Sequence, residues 1–320
     1  MSIKNQTDDG TSFDMGLSPG KQFKAQALGL KASDKDMMSW KANCDLFLVF
    51  VLWYFYLLSA TILWMKSPLL SIFLMFLCAP FIVSWMGYIR HELWHNYFPG
   101  LPNKLLYNFV AMSLFSDPQI YGIAHATHHK YLHTTNDLEF FCEGYEKSSE
   151  KRRFQFWFEF FLGNVGWEIN AMFRFWKFKE FSKIKHSVSL VLRLAIFAVI
   201  CFVVNIYVPG SWPIFGIIYV LSIWIGAVVT RHDQWIEHLG IIHNGNLSER
   251  IYKTRNLPDN HWSNQIWNML NHNDPRGHYF HHAYPYLNLR DITHLKLPKE
   301  CARTTIPKYI QLLRKHYRSL

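Results

Sequence analysis

The sequence predicts an all-α membrane protein: four transmembrane helices in two hairpins, with a cytoplasmic helical cap carrying three histidine clusters. Three observations predict it. Half of the 320 residues are hydrophobic and 17% are aromatic, an excess that suits lipid contact and interfacial belts better than a soluble surface. The apolar residues gather in four long runs, each able to cross about 30 Å of hydrocarbon as a helix. Histidine, 17 residues in all, clusters beside those runs rather than inside them.

Residues 1–44 are polar and are expected to be a partly disordered N-terminal segment without a cleavable signal peptide. Residues 45–65 and 68–88 form the first two spans, with Lys66-Ser67-Pro68 as the turn between them. The apolar stretch 101–115 is too short to span. Residues 154–178 interleave aromatics with Glu159, Glu168, Arg174 and Lys177, and both stretches read as helices lying at the interface. A second hairpin follows from spans 188–208 and 212–230, separated by Pro209-Gly210-Ser211, with Arg193 its one internal charge. The membrane domain thus covers 45–297, and 298–320 is a basic C-terminal tail.

The formal charge is +10. Residues 89–187 hold twelve Lys and Arg, whereas the hairpin tips hold only Lys66, so the positive-inside rule places both termini and this central region in the cytoplasm. The expected location is a bacterial inner membrane or the endoplasmic reticulum. Basic residues beside the apolar runs point to anionic lipid headgroups and not to nucleic acid. The five cysteines (44, 78, 142, 201 and 301) show no CxxC and read as reduced and unrelated to metal binding.

The clusters are His91-Glu92-Leu93-Trp94-His95, His125-Ala126-Thr127-His128-His129 and His278-Tyr279-Phe280-His281-His282. Residues three and four apart share a helix face, so each cluster aims imidazoles, the commonest metal ligands, at one point. Chance places roughly one HxxxH in a chain this rich in His, but two HxxHH boxes in only about one such chain in several hundred. Eight histidines exceed what one tetrahedral zinc uses, so two metals are implied. Nitrogen-rich, open-sided coordination remote from cysteine suits iron that binds dioxygen. Two rivals exist. His91 to His95 is also literally HExxH, the zinc protease motif, but that reading leaves both HxxHH boxes unexplained. A metal transporter would need polar lining, and the four spans carry no His, Asp or Glu beyond Asp45.

These boxes, with HHKYLHTTND after the second and GHYFHHAYP around the third, resemble the integral-membrane fatty acid desaturase and hydroxylase family from about Asp45 to Leu297. The resemblance implies that His91, His95, His125, His128, His129, His278, His281 and His282 bind two non-haem iron ions. It implies a ninth ligand between the last span and the third box, where His238 sits; His232, His243, His261 and His272 are the competitors for that role. Some members place an Asn four residues earlier that reaches iron through water, and this chain has Gln234 there. The implied reaction consumes O2 and removes two hydrogens from a fatty acyl chain to leave a cis double bond. A hydroxylase, a terminal-alkene-forming fatty acid decarboxylase and a carotenoid-type oxygenase use the same boxes. Three residues between the first two histidines lean away from acyl-CoA substrates.

A separate electron donor, of ferredoxin or cytochrome b5 type with its reductase, is expected as a partner beside lipid. Ligating imidazoles need their second nitrogen held, so Asp137, Glu237 and Asp274 are candidate supporting carboxylates. His133 reads as a supporting or solvated residue. His186, His294 and His316 read as solvated.

Overall fold

The computed structural model describes residues 34–98, 100–139, 149–176, 181–271, 274–283 and 296–320; Cys142, His272, His294 and the first 33 residues lie outside them. Among the described residues twelve α-helices follow one another: α1 (Asp34–Lys66), α2 (Pro68–Trp94), α3 (Asn103–Ser113), α4 (Pro118–Tyr131), α5 (Ser149–Leu162), α6 (Asn164–Phe175), α7 (Lys183–Tyr207), α8 (Trp212–His238), α9 (Leu247–Lys253), α10 (Trp262–Leu270), α11 (His278–Ala283) and α12 (Ile306–Ser319). Among the described residues there is no strand, only a bridge between Asn256 and Arg303.

Among the described residues four helices are long and apolar enough to cross a membrane: Cys44–Lys66, Pro68–Trp94, Lys183–Tyr207 and Trp212–His238. α2 packs along both α1 and α8, and α7 lies against α8. The inner faces bury Trp53, Leu57, Ala79, Val83, Met86 and Ile218 in one apolar core. The outer faces leave Phe73, Val191 and Phe202 about two-thirds exposed, which only a hydrocarbon surround makes favourable. Several polar groups inside are paired across helices: Tyr56 Oη lies 2.7 Å from Ser222 Oγ, and Ser71 Oγ donates to Ala60 O at 2.8 Å.

The helices overrun the apolar runs. α2 continues through Arg90 to Trp94, and α8 continues through Arg231-His232-Asp233 to His238, so the boxes begin on the extended ends of spans. Hydropathy ends a span at its first charges, whereas the helices continue through Arg90, Arg231 and Asp233, which are buried and hydrogen-bonded to neighbouring segments. α1 likewise starts at Asp34, inside the segment expected to be disordered. The stretch read as one interfacial helix over 154–178 breaks into α5 and α6 at Gly163, whose φ of +61° and approach to Ala227 exclude any side chain there.

α8 meets α2 through Gly226, which faces Val83, and Thr230, which faces Gly87, small residues on one helix face. A Cβ at Gly226 would lie 2.2 Å from Val83 Cβ, a contact that side-chain rotation cannot relieve. Gly226→Ala is therefore expected to destabilise the fold by about 1–3 kcal/mol through overpacking, seen as a lower Tm in detergent. An unchanged Tm would contradict the close packing.

Candidate metal centre

Each histidine cluster is placed by a short, locally determined element. α4 starts at Asp117, whose carboxylate accepts from the Gln119 and Ile120 N–H groups, with Pro118 in the first helical position. That start fixes the helix carrying His125, His128 and His129. His91 and His95 lie on and just past the last turn of α2, and His238 ends α8. A 3₁₀ turn at Asp274–Arg276 and then Gly277 lead into α11, which carries the third cluster.

These elements bring the nine histidines into two groups able to hold a metal. His91, His95, His125, His129 and His281 form one, and His128, His238, His278 and His282 the other, with the potential donor atoms in each group within 4.8 Å of one another. In the first, Nε2 of His281 lies 3.2 Å from that of His91 and 3.0 Å from that of His129, and His125 Nε2 lies 3.2 Å from His95 Nε2. In the second, His238 Nε2 stands 3.0 Å from His278 Nε2 and 3.5 Å from His282 Nε2.

The opposite ring nitrogens explain why these atoms face one another. His125 Nδ1 lies 3.1 Å from Glu139, and His128 Nδ1 lies 2.8 Å from Asp137. His278 Nδ1 lies 2.8 Å from Asp274 and 3.1 Å from Glu237. A carboxylate accepts, so each of these Nδ1 atoms carries the proton and its Nε2 presents a lone pair. His238 reaches the same state differently. His133 Nδ1 donates to Arg250 O at 2.9 Å, which leaves His133 Nε2 to accept from His238 Nδ1 at 2.8 Å. Nε2 lone pairs about 3 Å apart repel unless a shared cation lies between them, and no hydrogen-bonding pattern satisfies a ring of them. The donor set therefore fits metal ions, and its nitrogen-only character fits iron better than magnesium or calcium.

Electrostatics keeps most donors neutral. Burial pushes His95 down to about 3. Burial, then the neighbouring imidazoles, hold His125, His129, His281 and His282 well below the ordinary range. His128 is the exception: burial opposes its charged form, but Asp137 and Glu139 together outweigh it and raise the group.

Glu139 was not legible as a partner in the sequence, although it follows Asp137 by two residues in the same loop. Its second oxygen accepts from Gln234 Nε2 at 3.0 Å, and Gln234 Oε1 accepts from Arg231 at 3.1 Å. Arg231 is buried and places two donors on Glu159, at 3.0 and 2.6 Å. A chain of hydrogen bonds thus runs from a buried ion pair to His125, with Gln234 engaged at both ends of its amide. Asp233 accepts from Trp267 Nε1 at 2.7 Å.

The competitors of His238 lie elsewhere. His232 Nδ1 is 2.6 Å from Tyr309 Oη, His261 caps α10, and the His243 ring accepts from Gly245 N–H. His186, expected to be solvated, is buried with its Nδ1 2.6 Å from Asp117, because the carboxylate that caps α4 also faces α7. His316 is half-buried against Phe156. The described cysteines are free and outside both groups.

A cavity of about 290 Å3 adjoins the first group, lined by His91, Gln234 and Asp274 and by apolar residues of the spans such as Val83 and Ile223. The family model described as fatty acid desaturase matches residues 66–309 of the chain. None of the curated proteins matches it.

Proposed function

Because the chain belongs to the fatty acid desaturase family, we propose that it is a membrane-bound, O2-dependent fatty acyl desaturase with a non-haem di-iron centre, fed by a separate ferredoxin- or cytochrome b5-type donor. The observation that carries this is the sorting of nine histidines into two adjacent all-imidazole groups. His91, His95, His125, His129 and His281 would hold one iron, and His128, His238, His278 and His282 the other. The chemistry that such a pair supplies is reductive activation of dioxygen for removal of hydrogen from an unactivated methylene.

The chain's own residues do the rest. Glu139, Asp137, Asp274 and His133 accept the Nδ1 protons of His125, His128, His278 and His238, and so keep the Nε2 lone pairs of these four directed inward. Val83, Ile223 and Ala227 exclude water from the cavity and offer an apolar wall to an acyl chain beside His91. We place the four spans in two hairpins, with both termini and the cap on the cytoplasmic side, residues 45–297 as the membrane domain and 298–320 as the tail, as charge asymmetry directs. A protease reading fits the geometry less well, since His91 and His95 share their group with three further imidazoles.

Metal analysis of protein purified without added metal is expected to find about two iron per chain, as the two imidazole groups require. Mass spectrometry of lipids from cells expressing it with a competent donor is expected to reveal new double bonds. About two zinc and no iron, or an unchanged lipid profile, would overturn the proposal.

A further inference from the structure

Part of the cavity lining is charged in a way that a plain hydrocarbon does not use. Arg90, Ser116, Asp117, Glu168, His186 and Arg193 all line it. Most of their polar atoms are paired. Asp117 meets His186 at 2.6 Å and Arg193 at 3.5 Å, Arg193 also donates to Phe115 O at 2.7 Å, and Glu168 accepts from Ser116 Oγ. Arg90 is different. Its Nη1 donates to Ser116 Oγ and lies 3.9 Å from Glu168, but its Nε–H has no partner among the described residues although Arg90 is only 8% exposed. Ser84 Oγ, on the helix face of α2 that also carries His91, and Asn271 Oδ1 belong to residues lining the same cavity, and both atoms are buried without partners among the described residues. Buried polar atoms without partners cost free energy unless a ligand satisfies them.

We propose that this cavity seats the carboxylate head of a free fatty acid on the Arg90 guanidinium, with the acyl tail leaving along Val83, Leu190 and Ile223. The inference rests on the lipid-oxidation reading above and names the substrate's head group. An anionic acceptor compensates a buried guanidinium donor better than a neutral ester carbonyl or hydroxyl does. Glu168 competes for Arg90 only weakly, because burial pushes its carboxyl up to about 7 and so withdraws part of its charge at neutral pH. The position has a consequence for the chemistry. Arg90 Cζ stands 3.9 Å from the Tyr121 ring centroid, and that ring stacks on His125 with centroids 5.2 Å apart. One aromatic ring therefore separates the head-group site from a metal-facing imidazole, and the carbons nearest the carboxylate come closest to the histidines.

The test is equilibrium binding to full-length protein in detergent, with labelled palmitate displaced by unlabelled palmitate, methyl palmitate or palmityl alcohol. Palmitate is expected to displace the label at about tenfold lower concentration, or less, than either neutral analogue, the ratio for one charge-assisted hydrogen bond. Arg90→Gln should abolish that preference by weakening palmitate more than either neutral analogue, and a folded variant that kept the preference would overturn the assignment. If the variant does not fold, the ranking in the wild type decides alone. Equal affinity of the three probes, or no binding of any, overturns the head-group assignment. Iron content and new double bonds in lipids would in either case leave the oxidase reading standing, so the two failures are distinguishable.

Discussion

His281→Ala is expected to lower bound iron from about two per chain to about one and to abolish lipid oxidation, a loss larger than the roughly 10–100-fold typical of removing an outer carboxylate. His281 is fully buried, and its Nε2 sits between those of His91 and His129, so no other imidazole replaces it. The second group draws on none of the first group's side chains and should keep its ion. Asp137→Asn supplies the graded comparison. It leaves the donor count intact but frees His128 to present the wrong nitrogen, so metal affinity should fall by roughly 10–100-fold without loss of the site. His243→Ala, outside both groups, should retain both irons. If His281→Ala also kept two irons, the assignment of the first group would fail.

Much of this centre was legible because its information is local. HxxxH and HxxHH place imidazoles on helix faces whatever the fold. His238 was singled out by its place after the last span, and the structure sets it among His128, His278 and His282. The span boundaries were less legible. A hydropathy window stops at Arg90 or Arg231, yet both side chains are buried by segments far away in the chain, and the helices pass through them. His186 read as solvated for the same reason, since its partner Asp117 is 69 residues distant. The Arg231–Glu159 pair was invisible because a hydrogen bond across 72 residues depends on how helices pack, not on spacing, and Glu139 was missed because the loop after α4, not a helical repeat, turns it back onto His125. Sequence pattern thus singled out the histidines that the fold gathers into two groups, while the network around them is a property of the tertiary structure.

That network makes Arg231 the residue whose loss should cost most stability. Arg231 is 1% exposed and Glu159 3%, so neither charge has water to turn to. Arg231→Ala would strand the Glu159 carboxylate in the interior, and breaking a buried pair in this way costs about 3–5 kcal/mol. It would also remove the donors that Arg231 directs at Gln234 and at the Glu139 carbonyl, loosening the carboxylate that holds His125 Nδ1. Two readouts are therefore expected to move together: Tm in detergent and iron content. The double variant Arg231→Met with Glu159→Leu separates the contributions. Replacing a buried ion pair by apolar residues of similar volume is often neutral or stabilising, so most of the Tm should return. Iron content should stay depressed, because methionine gives Gln234 and Glu139 no donor. Should iron recover along with Tm, the pair would serve only to close the packing between α5 and α8, and the chain of hydrogen bonds to His125 would carry no influence on the metal.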